Sequence, residues 1–221
     1  MRVDELNYQE KEFIDIEQFF DEMELTDKQK EDRKDLAYDV KESVLFLFAL
    51  LAMLIDNPVL TYSFVLTQFK NRFREQVAKK VEIDDELESY ISDITTSIVS
   101  TSFAHLEAFQ KATELIESED ENDNGNFFNS EQRAIMIAEN ESESVMNYDD
   151  YNKAIEEGYT RKKWVTMKDR RVRKSHKEVD EKVIPIKDLF IVGKSLMRFA
   201  HDIDASAEEI IGCRCTTKYL K

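Results

Sequence analysis

The sequence is poor in the two residues that most often break regular structure. Its 221 residues include only four glycines and two prolines, whereas β-sandwiches and barrels need many tight turns, which glycine and proline supply. Hydrophobic residues make up 42% of the chain, enough for one or two compact domains with a core. We therefore expect a chain that is mainly α-helical.

Long apolar runs and a cysteine framework are also missing. The longest run without a polar residue covers residues 44–55, which is too short to cross a bilayer. The first residues lack the apolar core of a secretory signal. The two cysteines are separated by a single residue and provide no disulfide framework. These features predict a protein without a membrane span that stays in the reducing cytoplasm where it was made.

Four common signatures of enzyme chemistry are absent: the P-loop, GxSxG, HExxH and GxGxxG. The chain is acidic, with a formal net charge of -16, which argues against non-specific nucleic-acid binding by the whole molecule. Residues 161–182 depart from this balance, because they contain ten lysines or arginines against four acids. The sequence therefore predicts one localised basic surface.

Apolar residues recur every three or four positions in three stretches, which predicts three long helices. The first begins at Asp27 and ends at 56–58, the second begins at Pro58 with Asn57 as its N-cap, and the third covers 87–116. Within the third, residues 94–102 are rich in β-branched and hydroxyl side chains, which predicts a bend or break. Together these elements predict a helical bundle with short connections.

An acidic segment separates this bundle from the rest of the chain. Residues 117–126 contain five acids and no apolar residue, which is typical of a solvated linker. We therefore predict an acidic helical domain over 1–116, a linker over 117–126 and a second domain over 127–221. The second domain is expected to begin with a helix capped by Asn129, interrupted at 147–150, and followed by a helix that ends at Gly158.

Beyond Gly158 the pattern changes to short strands, predicted at 163–167, 183–186 and 214–219. Thr166 and Asp169 have the spacing of a capping box, which predicts a short helix from about Met167. The expected fold class is mainly α, an N-terminal helical bundle followed by a small α+β C-terminal module.

The basic residues of 161–182 are candidate contacts for an acidic partner. Two interpretations are open: pairing with the acidic N-terminal half, in cis or in trans, or non-specific contact with the phosphates of a nucleic-acid backbone. The candidates are Arg161, Lys162, Lys163, Lys168, Arg170, Arg171, Arg173, Lys174 and Lys177.

Histidine and cysteine side chains raise the question of a metal. One hypothesis is a zinc site made of His176, His201, Cys213 and Cys215. The other is a buried, hydrogen-bonded His176 and two small buried cysteines on a final strand. A CxC pair that follows an isolated histidine by thirty-seven residues differs from the usual zinc-knuckle spacings. The sequence therefore predicts no metal and no cofactor.

Two enzymatic alternatives stay open beside a non-enzymatic role. Glu141 and Glu143 form an ExE element of the kind found in ADP-ribosyltransferases, although in so acidic a chain such a pair is also typical of a solvated helical face. His176 beside Arg171 and Arg173 is a candidate general base for a nuclease. Either activity would make the protein an effector enzyme delivered with a genome.

The order of residue blocks between Arg133 and Cys215 resembles the phage Mu F-like family of minor head, or head-morphogenesis, proteins. The resemblance covers about residues 131–217. Its blocks are Arg133-Ala134 with Ile137-Ala138 and Glu141, Ala154 with Gly158, Trp164 with Thr166, Asp169, Arg171-Val172-Arg173 and His176, Pro185, Phe190 and Gly193, and Cys213-Arg214-Cys215.

This resemblance implies a structural component of the virion rather than an enzyme. It implies a low-copy protein of the capsid interior, made in the cytoplasm of the bacterial host, with the portal and other capsid proteins as partners and packaged DNA as a further, non-specific contact. It also implies that the motif residues maintain the fold: Trp164, Thr166, Asp169, Arg173, His176, Phe190, Gly193, Cys213, Arg214 and Cys215.

Overall fold

The computed structural model describes residues 15–56, 61–115 and 130–221. Within these ranges the helices are α1 (Ile16–Asp21), α2 (Asp27–Asp56), α3 (Tyr62–Ala78), α4 (Asp85–Leu115), α5 (Glu131–Glu156), α6 (Lys174–Lys177) and α7 (Ala207–Ile210). The strands are β1 (Arg161–Val165), β2 (Val183–Pro185), β3 (Phe190–Val192), β4 (Ser195–Met197) and β5 (Thr216–Leu220). The predicted fold class, mainly α with a small C-terminal α+β module, is confirmed.

Helix α2 forms where the first apolar stripe predicts it. The buried positions recur every three or four residues: Leu36, Val40, Val44, Leu47 and Leu51. They join a hydrophobic core with residues of α3, α4 and α5. Burial of this stripe contributes more to the stability of so long a helix than helix propensity does.

Helix α3 begins at Tyr62, and Thr61 is its N-cap. The Thr61 hydroxyl accepts a hydrogen bond from the Phe64 backbone N–H at 3.2 Å. The predicted start, with Asn57 as cap and Pro58 at the first position, lies outside the described residues.

Helix α4 is continuous through 94–102, so the predicted bend or break is wrong. The Thr95 hydroxyl donates to the Ile91 carbonyl at 2.6 Å, and the Ser102 hydroxyl donates to the Ile98 carbonyl at 2.7 Å. Hydroxyl groups bonded to the preceding turn in this way are satisfied without ending the helix.

Helix α5 is one element, so the predicted interruption at 147–150 is also wrong. The Asn147 side chain donates to Glu143 Oε2 at 2.8 Å and to the Ala200 carbonyl at 3.0 Å. Its amide therefore has partners on side chains and on a neighbouring segment, and does not compete for the helix backbone.

The ends of α5 follow ordinary capping rules. Ser130 is the N-cap, and its hydroxyl accepts from the Arg133 backbone N–H at 3.2 Å. The predicted cap, Asn129, lies outside the described residues. Gly158 follows the helix with a φ of 76°, and this left-handed conformation ends the helix as predicted.

The C-terminal strands form two small antiparallel sheets. The first has the order β2-β1-β5, and the second is the hairpin β3-β4. Strands β1, β2 and β5 lie within two residues of the predicted positions, whereas the hairpin was not predicted. Each hairpin strand has only three residues, too few to establish a period of two.

The helix predicted from about Met167 is wrong. The Thr166 hydroxyl accepts from the Lys168 backbone N–H at 3.3 Å, and Lys168 has a φ of 56°. The Thr166 side chain therefore closes a turn rather than capping a helix. The short helix α6 begins only at Lys174.

Buried apolar residues form two clusters. The larger contains residues of α1 to α5 together with Ile186 and Phe199, and the smaller surrounds Trp164. Among the described elements, α2 and α5 form the most extensive contact. The division of the chain at 117–126 stays a prediction, because that segment lies outside the described residues.

Candidate functional site

Four of the nine candidate contacts have exposed side chains and no ion-pair partner in the described chain. Arg161, Arg170, Lys174 and Lys177 lie on the surface, and none of them forms an ion pair within the described part of the chain. They lie at the start of β1, in the loop before α6, and on α6. Because no acid of the described chain neutralises them, these four side chains can meet a partner.

Three further candidates pair with acids of the same chain. Lys163 and Lys168 contact Glu181 at 2.6 and 2.9 Å, and hydrogen bonds from these lysines lower the pKa of Glu181 to about 2. Arg171 contacts Glu22, which follows α1, at 2.7 Å. Acids of the same chain therefore pair with three of the nine candidate cations.

Lys162 is buried in the protein, although it was a candidate contact from sequence. Its Nζ lies 5.1 Å from the ring centre of Tyr151 and 5.5 Å from that of Phe190. Burial disfavours the charged form and lowers the pKa of Lys162 to about 8. Lys162 is therefore left out of the contact surface proposed below.

The Trp164 block and the CRC block meet through Asp169 and Arg214. Arg214 is buried and forms ion pairs with Asp169 and with Glu22. Partial burial opposes ionisation of Asp169, but the hydrogen bond from Arg214 keeps the pKa of Asp169 below its ordinary value. Arg173 also contacts the segment just before the CRC block, because its Nη2 donates to the Ile211 carbonyl. These contacts give both arginines an internal structural partner.

Trp164 is at the centre of the smaller cluster and is fully buried. Its ring meets those of His176 and Phe190 edge to face, with centroids 5.6 and 5.2 Å apart. At the end of the same strand, the Thr166 backbone N–H donates to Asp180 Oδ1 at 2.9 Å. Motif residues that are dispersed in sequence thus pack together in one core.

His176 connects α6 to the CRC block. Its Nδ1 lies 3.3 Å from Cys215 Sγ and 3.4 Å from Cys213 Sγ. Its Nε2 lies 3.0 Å from Glu209 Oε2. All four residues are buried. The result is a closed cluster of one imidazole, two sulfurs and one carboxylate.

The two thiols of this cluster differ in their proton affinity. Burial opposes ionisation of Cys213, but the hydrogen bond from the Cys215 thiol and the neighbouring imidazoles lower the pKa of Cys213 below its ordinary value. Because the Cys215 thiol donates that bond and is itself buried, the pKa of Cys215 is raised.

His201 is not part of the group of three ligand atoms formed by His176, Cys213 and Cys215. Its Nε2 lies 2.8 Å from the Cys213 carbonyl oxygen, to which it donates. A carbonyl partner fixes the ring in this orientation and uses one of its two nitrogens. The structure thus brings together three of the four residues in the zinc hypothesis.

Glu209 is the member of the cluster that sequence analysis missed. It lies on the short helix α7, and its Oε2 also accepts from the Ser175 hydroxyl at 2.9 Å. In a chain with 47 acidic residues, one glutamate carries no signal of its own. Only the fold shows that this carboxylate faces an imidazole.

Gly193 is the motif residue that makes room for Glu209. It has a φ of 57°, and a Cβ at this position would lie 2.0 Å from Glu209 Oε1. Gly158 also has a positive φ, but nothing lies within 4 Å of a Cβ added there. An alanine at position 158 would therefore cost only the strained backbone conformation, whereas an alanine at position 193 would also displace Glu209.

We expect Gly158→Ala to lower the free energy of unfolding by about 1 kcal/mol, the cost of a left-handed non-glycine residue. Gly193→Ala is expected to cost about 2 kcal/mol, because Glu209 must also move away from His176. Urea unfolding of the two variants measures this difference. Equal losses would show that the close approach of Gly193 to Glu209 has no energetic importance.

Glu141 and Glu143 are enclosed by α5 and its neighbours. Glu141 accepts from the Tyr90 hydroxyl and from the Asn140 amide, and burial raises the pKa of Glu141. Glu143 is fully buried and pairs with Arg33 at 2.7 Å. Both carboxylates are buried, and their partners on α4 and α2 show that they hold helices together.

No helix in the described ranges is both long and apolar enough to span a membrane. Comparison with known proteins gives one finding. A family model described as Phage Mu protein F like protein matches residues 75–218, from the end of α3 to β5. No match was found among curated proteins or among solved structures.

The matched region covers more than half of the chain and contains every motif block described above. It includes the whole resemblance over 131–217, which is confirmed, and extends upstream through α4. Of the residues in those blocks, Phe190, Cys213 and Cys215 pack in one cluster with Trp164, and the His176 ring contacts that of Trp164. The chain therefore belongs to the family of Phage Mu protein F like proteins and is a Mu F-like phage head-morphogenesis protein.

Proposed function

We propose that this protein is a minor head protein, a low-copy structural component of the capsid interior that associates with the portal. It would be made in the host cytoplasm and incorporated into the virion while the head is assembled. Its capsid-protein partners follow from the family. Among them we propose the portal as the partner that the four exposed cations contact.

The observation that carries this proposal is the closed packing of the family motif. Trp164, His176, Cys213 and Cys215 are at most 3% exposed, and the cations around them bond to acids and carbonyls of the same chain. A site of catalysis needs a cleft that admits substrate. The motif residues are buried and bonded to one another and to the rest of the chain, and this favours a structural role.

The exposed part of the basic segment favours contact with an acidic partner. Arg161, Arg170, Lys174 and Lys177 have no ion-pair partner in the described ranges, while the whole chain has a net charge of -16. Exposed cations on an acidic protein are attracted to a negatively charged surface, and that surface repels the acidic rest of the molecule. A portal surface or packaged DNA would meet this requirement.

A co-purification experiment with the portal protein of the same phage genome tests the proposal. We expect the full chain to be retained by tagged portal, and retention to fall at least about tenfold when the four exposed cations are changed to glutamate. A matched control changes Lys28, Lys187, Lys194 and Lys221 to glutamate, which alters the net charge equally at other exposed positions. Retention of the wild type should match that of the control.

Two results would contradict the proposal. Absence of wild-type retention at low salt would remove the portal as a partner, and equal retention of both variants would remove the basic surface as the contact. The same proteins applied to immobilised DNA test the phosphate contact separately. Binding through four phosphates would give a log–log salt slope of about -3.6, and no salt-sensitive retention would limit the role to protein partners.

A further inference from the structure

We propose that His176, Cys213 and Cys215 bind a zinc ion through Nδ1 and the two Sγ atoms, in a site that one water molecule completes. This site goes beyond the role in the phage head and does not depend on it.

The distances between the three ligand atoms suit a single ion. They all lie within 4.8 Å of one another, and Nδ1 lies 3.3 and 3.4 Å from the two sulfurs. Zinc bonds of about 2.0–2.1 Å to nitrogen and 2.3 Å to sulfur in a tetrahedron place ligand atoms about 3.5–3.8 Å apart. The two distances from Nδ1 to the sulfurs would therefore have to increase by only a few tenths of an ångström.

The carboxylate of Glu209 orients the imidazole for this purpose. Its Oε2 lies 3.0 Å from His176 Nε2, so Nε2–H donates to the carboxylate and the lone pair of Nδ1 faces the sulfurs. A carboxylate on the remote nitrogen of a metal-bound histidine is a common second partner, which fixes the tautomer and makes the ligand nitrogen more basic. Ser175 in turn fixes the carboxylate, because its hydroxyl donates to the same oxygen at 2.9 Å.

The turn that carries the cysteines also presents their sulfurs together. The Cys213 backbone N–H donates to the Ile210 carbonyl at 2.9 Å. The Cys215 backbone N–H approaches Cys213 Sγ at 3.3 Å. An N–H directed at a sulfur favours a thiolate, which is the form that binds a metal.

The structure leaves room for a fourth ligand beside the three. A cavity of about 20 Å³ lies beside the three ligands and is lined by the following residues: Met167, Arg171, Val172, Arg173, His176, Gly212, Cys213, Arg214 and Cys215. This volume accommodates a single water. Zinc sites with three protein ligands take water in the fourth position.

The net charge of a zinc-loaded site is also compatible with the arginines around it. Arg171, Arg173 and Arg214 line the same cavity, and an unneutralised dication there would be repelled by the arginines. Two thiolates carry the two negative charges that cancel those of Zn²⁺, and both thiol protons are released on binding. Soft thiolate ligands also select zinc over magnesium or calcium.

A catalytic triad of one of these cysteines with His176 and Glu209 would use three of the same four residues, but the surroundings disfavour it. A nucleophilic thiol must reach a substrate carbon, whereas Cys213 and Cys215 are each only 3% exposed. A metal that joins α6 to the turn before β5 requires no such access.

The decisive experiment is titration of the metal-free, reduced full chain with Co²⁺ and then Zn²⁺. We expect one equivalent of Co²⁺ to produce a thiolate-to-cobalt absorption band and the intense visible bands of tetrahedral cobalt, and one equivalent of Zn²⁺ to abolish both. Elemental analysis of the protein purified without chelator should find one zinc per chain. Absence of the bands together with absence of bound zinc would overturn the proposal.

Variants distinguish the ligands from their neighbours. Cys213→Ser and Cys215→Ser should each remove the cobalt band, and Glu209→Gln should keep one equivalent while weakening affinity about 10–100-fold. Glu208→Gln is the matched control for Glu209→Gln, because Glu208 is the neighbouring residue on α7 and is exposed. It should leave stoichiometry, spectrum and affinity unchanged. An unchanged cobalt spectrum in both cysteine variants would refute the assigned ligand set, and an equal loss of affinity in the two glutamate variants would refute the role given to Glu209.

A second measurement uses the wild type alone, in case a cysteine variant does not fold. Stepwise addition of a mercurial reagent to the zinc-loaded protein should release the metal in proportion to the thiols modified, with completion at two equivalents. Zinc that stays bound after both thiols have reacted would show that the cysteines are not its ligands.

Discussion

Replacement of Arg33 by methionine is expected to lower the free energy of unfolding by about 3–5 kcal/mol. Arg33 lies on α2 and is fully buried, and its Nε donates to Glu143 Oε1 at 2.7 Å. Its Nη2 donates to Asn147 and to Asp150, at 2.9 and 2.8 Å. Without the guanidinium, the fully buried Glu143 carboxylate would be left without a counter-charge, and this accounts for the size of the loss.

Two further variants make this expectation specific. Lys34→Met removes the next cation of the same helix, whose partners Glu17 and Asp21 are 51% and 60% exposed in their side chains, and should cost less than about 1 kcal/mol. The double variant Arg33→Met with Glu143→Leu removes both buried charges and should regain at least about 2 kcal/mol of the loss. Urea unfolding midpoints, compared at equal m-values, measure all three changes.

This ion pair joins the two parts of the chain that sequence analysis separates. Arg33 lies upstream of the family match, which begins at residue 75, and Glu143 lies within it. A loss for Arg33→Met as small as that for Lys34→Met would mean that the matched region does not depend on α2. The expected large loss would mean that residues upstream of the match stabilise the family fold.

Replacement of Lys162 by methionine is expected to raise the free energy of unfolding by about 2–3 kcal/mol at pH 7. The pKa of Lys162 is lowered to about 8 because burial disfavours its charge. Methionine keeps the apolar stem and the packing against Tyr151 and Phe190 without that charge. Part of the gain is lost because the two rings attract the ammonium.

The pH dependence identifies the cause of this effect. A lysine whose pKa is lowered by folding binds fewer protons than it does in the unfolded chain, between that lowered pKa and its ordinary value of 10.5. Its destabilisation is therefore fully present below pH 8 and decreases as pH rises from about 8 to 10.5. The advantage of Lys162→Met should shrink over this interval.

Unfolding of both proteins at pH 7 and at pH 10 measures the change, because other titrating groups affect the two proteins alike. Lys177→Met is the control for loss of an exposed charge and should change stability by less than about 0.5 kcal/mol. A wild type that is more stable than Lys162→Met at pH 7 would contradict the assignment of Lys162 as a buried, destabilising charge.

The sequence predicted features that depend on periodic apolar residues. The stripe from Leu36 to Leu51 gave the extent of α2, and the buried faces found in the structure follow it. Errors occurred where polar residues lie inside helices. Residues 94–102 and 147–150 suggested breaks, because their hydroxyl and amide side chains can compete for backbone hydrogen bonds. The sequence does not show whether such a side chain instead has a partner elsewhere in the fold.

Family membership and fold class were thus determined by the sequence, through the order of its motif blocks and the spacing of its apolar residues. Tertiary structure alone decided which charges are exposed: Lys162 is buried while Lys174 is on the surface, although both belong to one basic segment. It alone placed Glu209 beside His176 and Arg33 beside Glu143. The physical reason is that electrostatic and metal-binding properties depend on distance and burial in space, and residues more than thirty positions apart acquire these only when the chain folds.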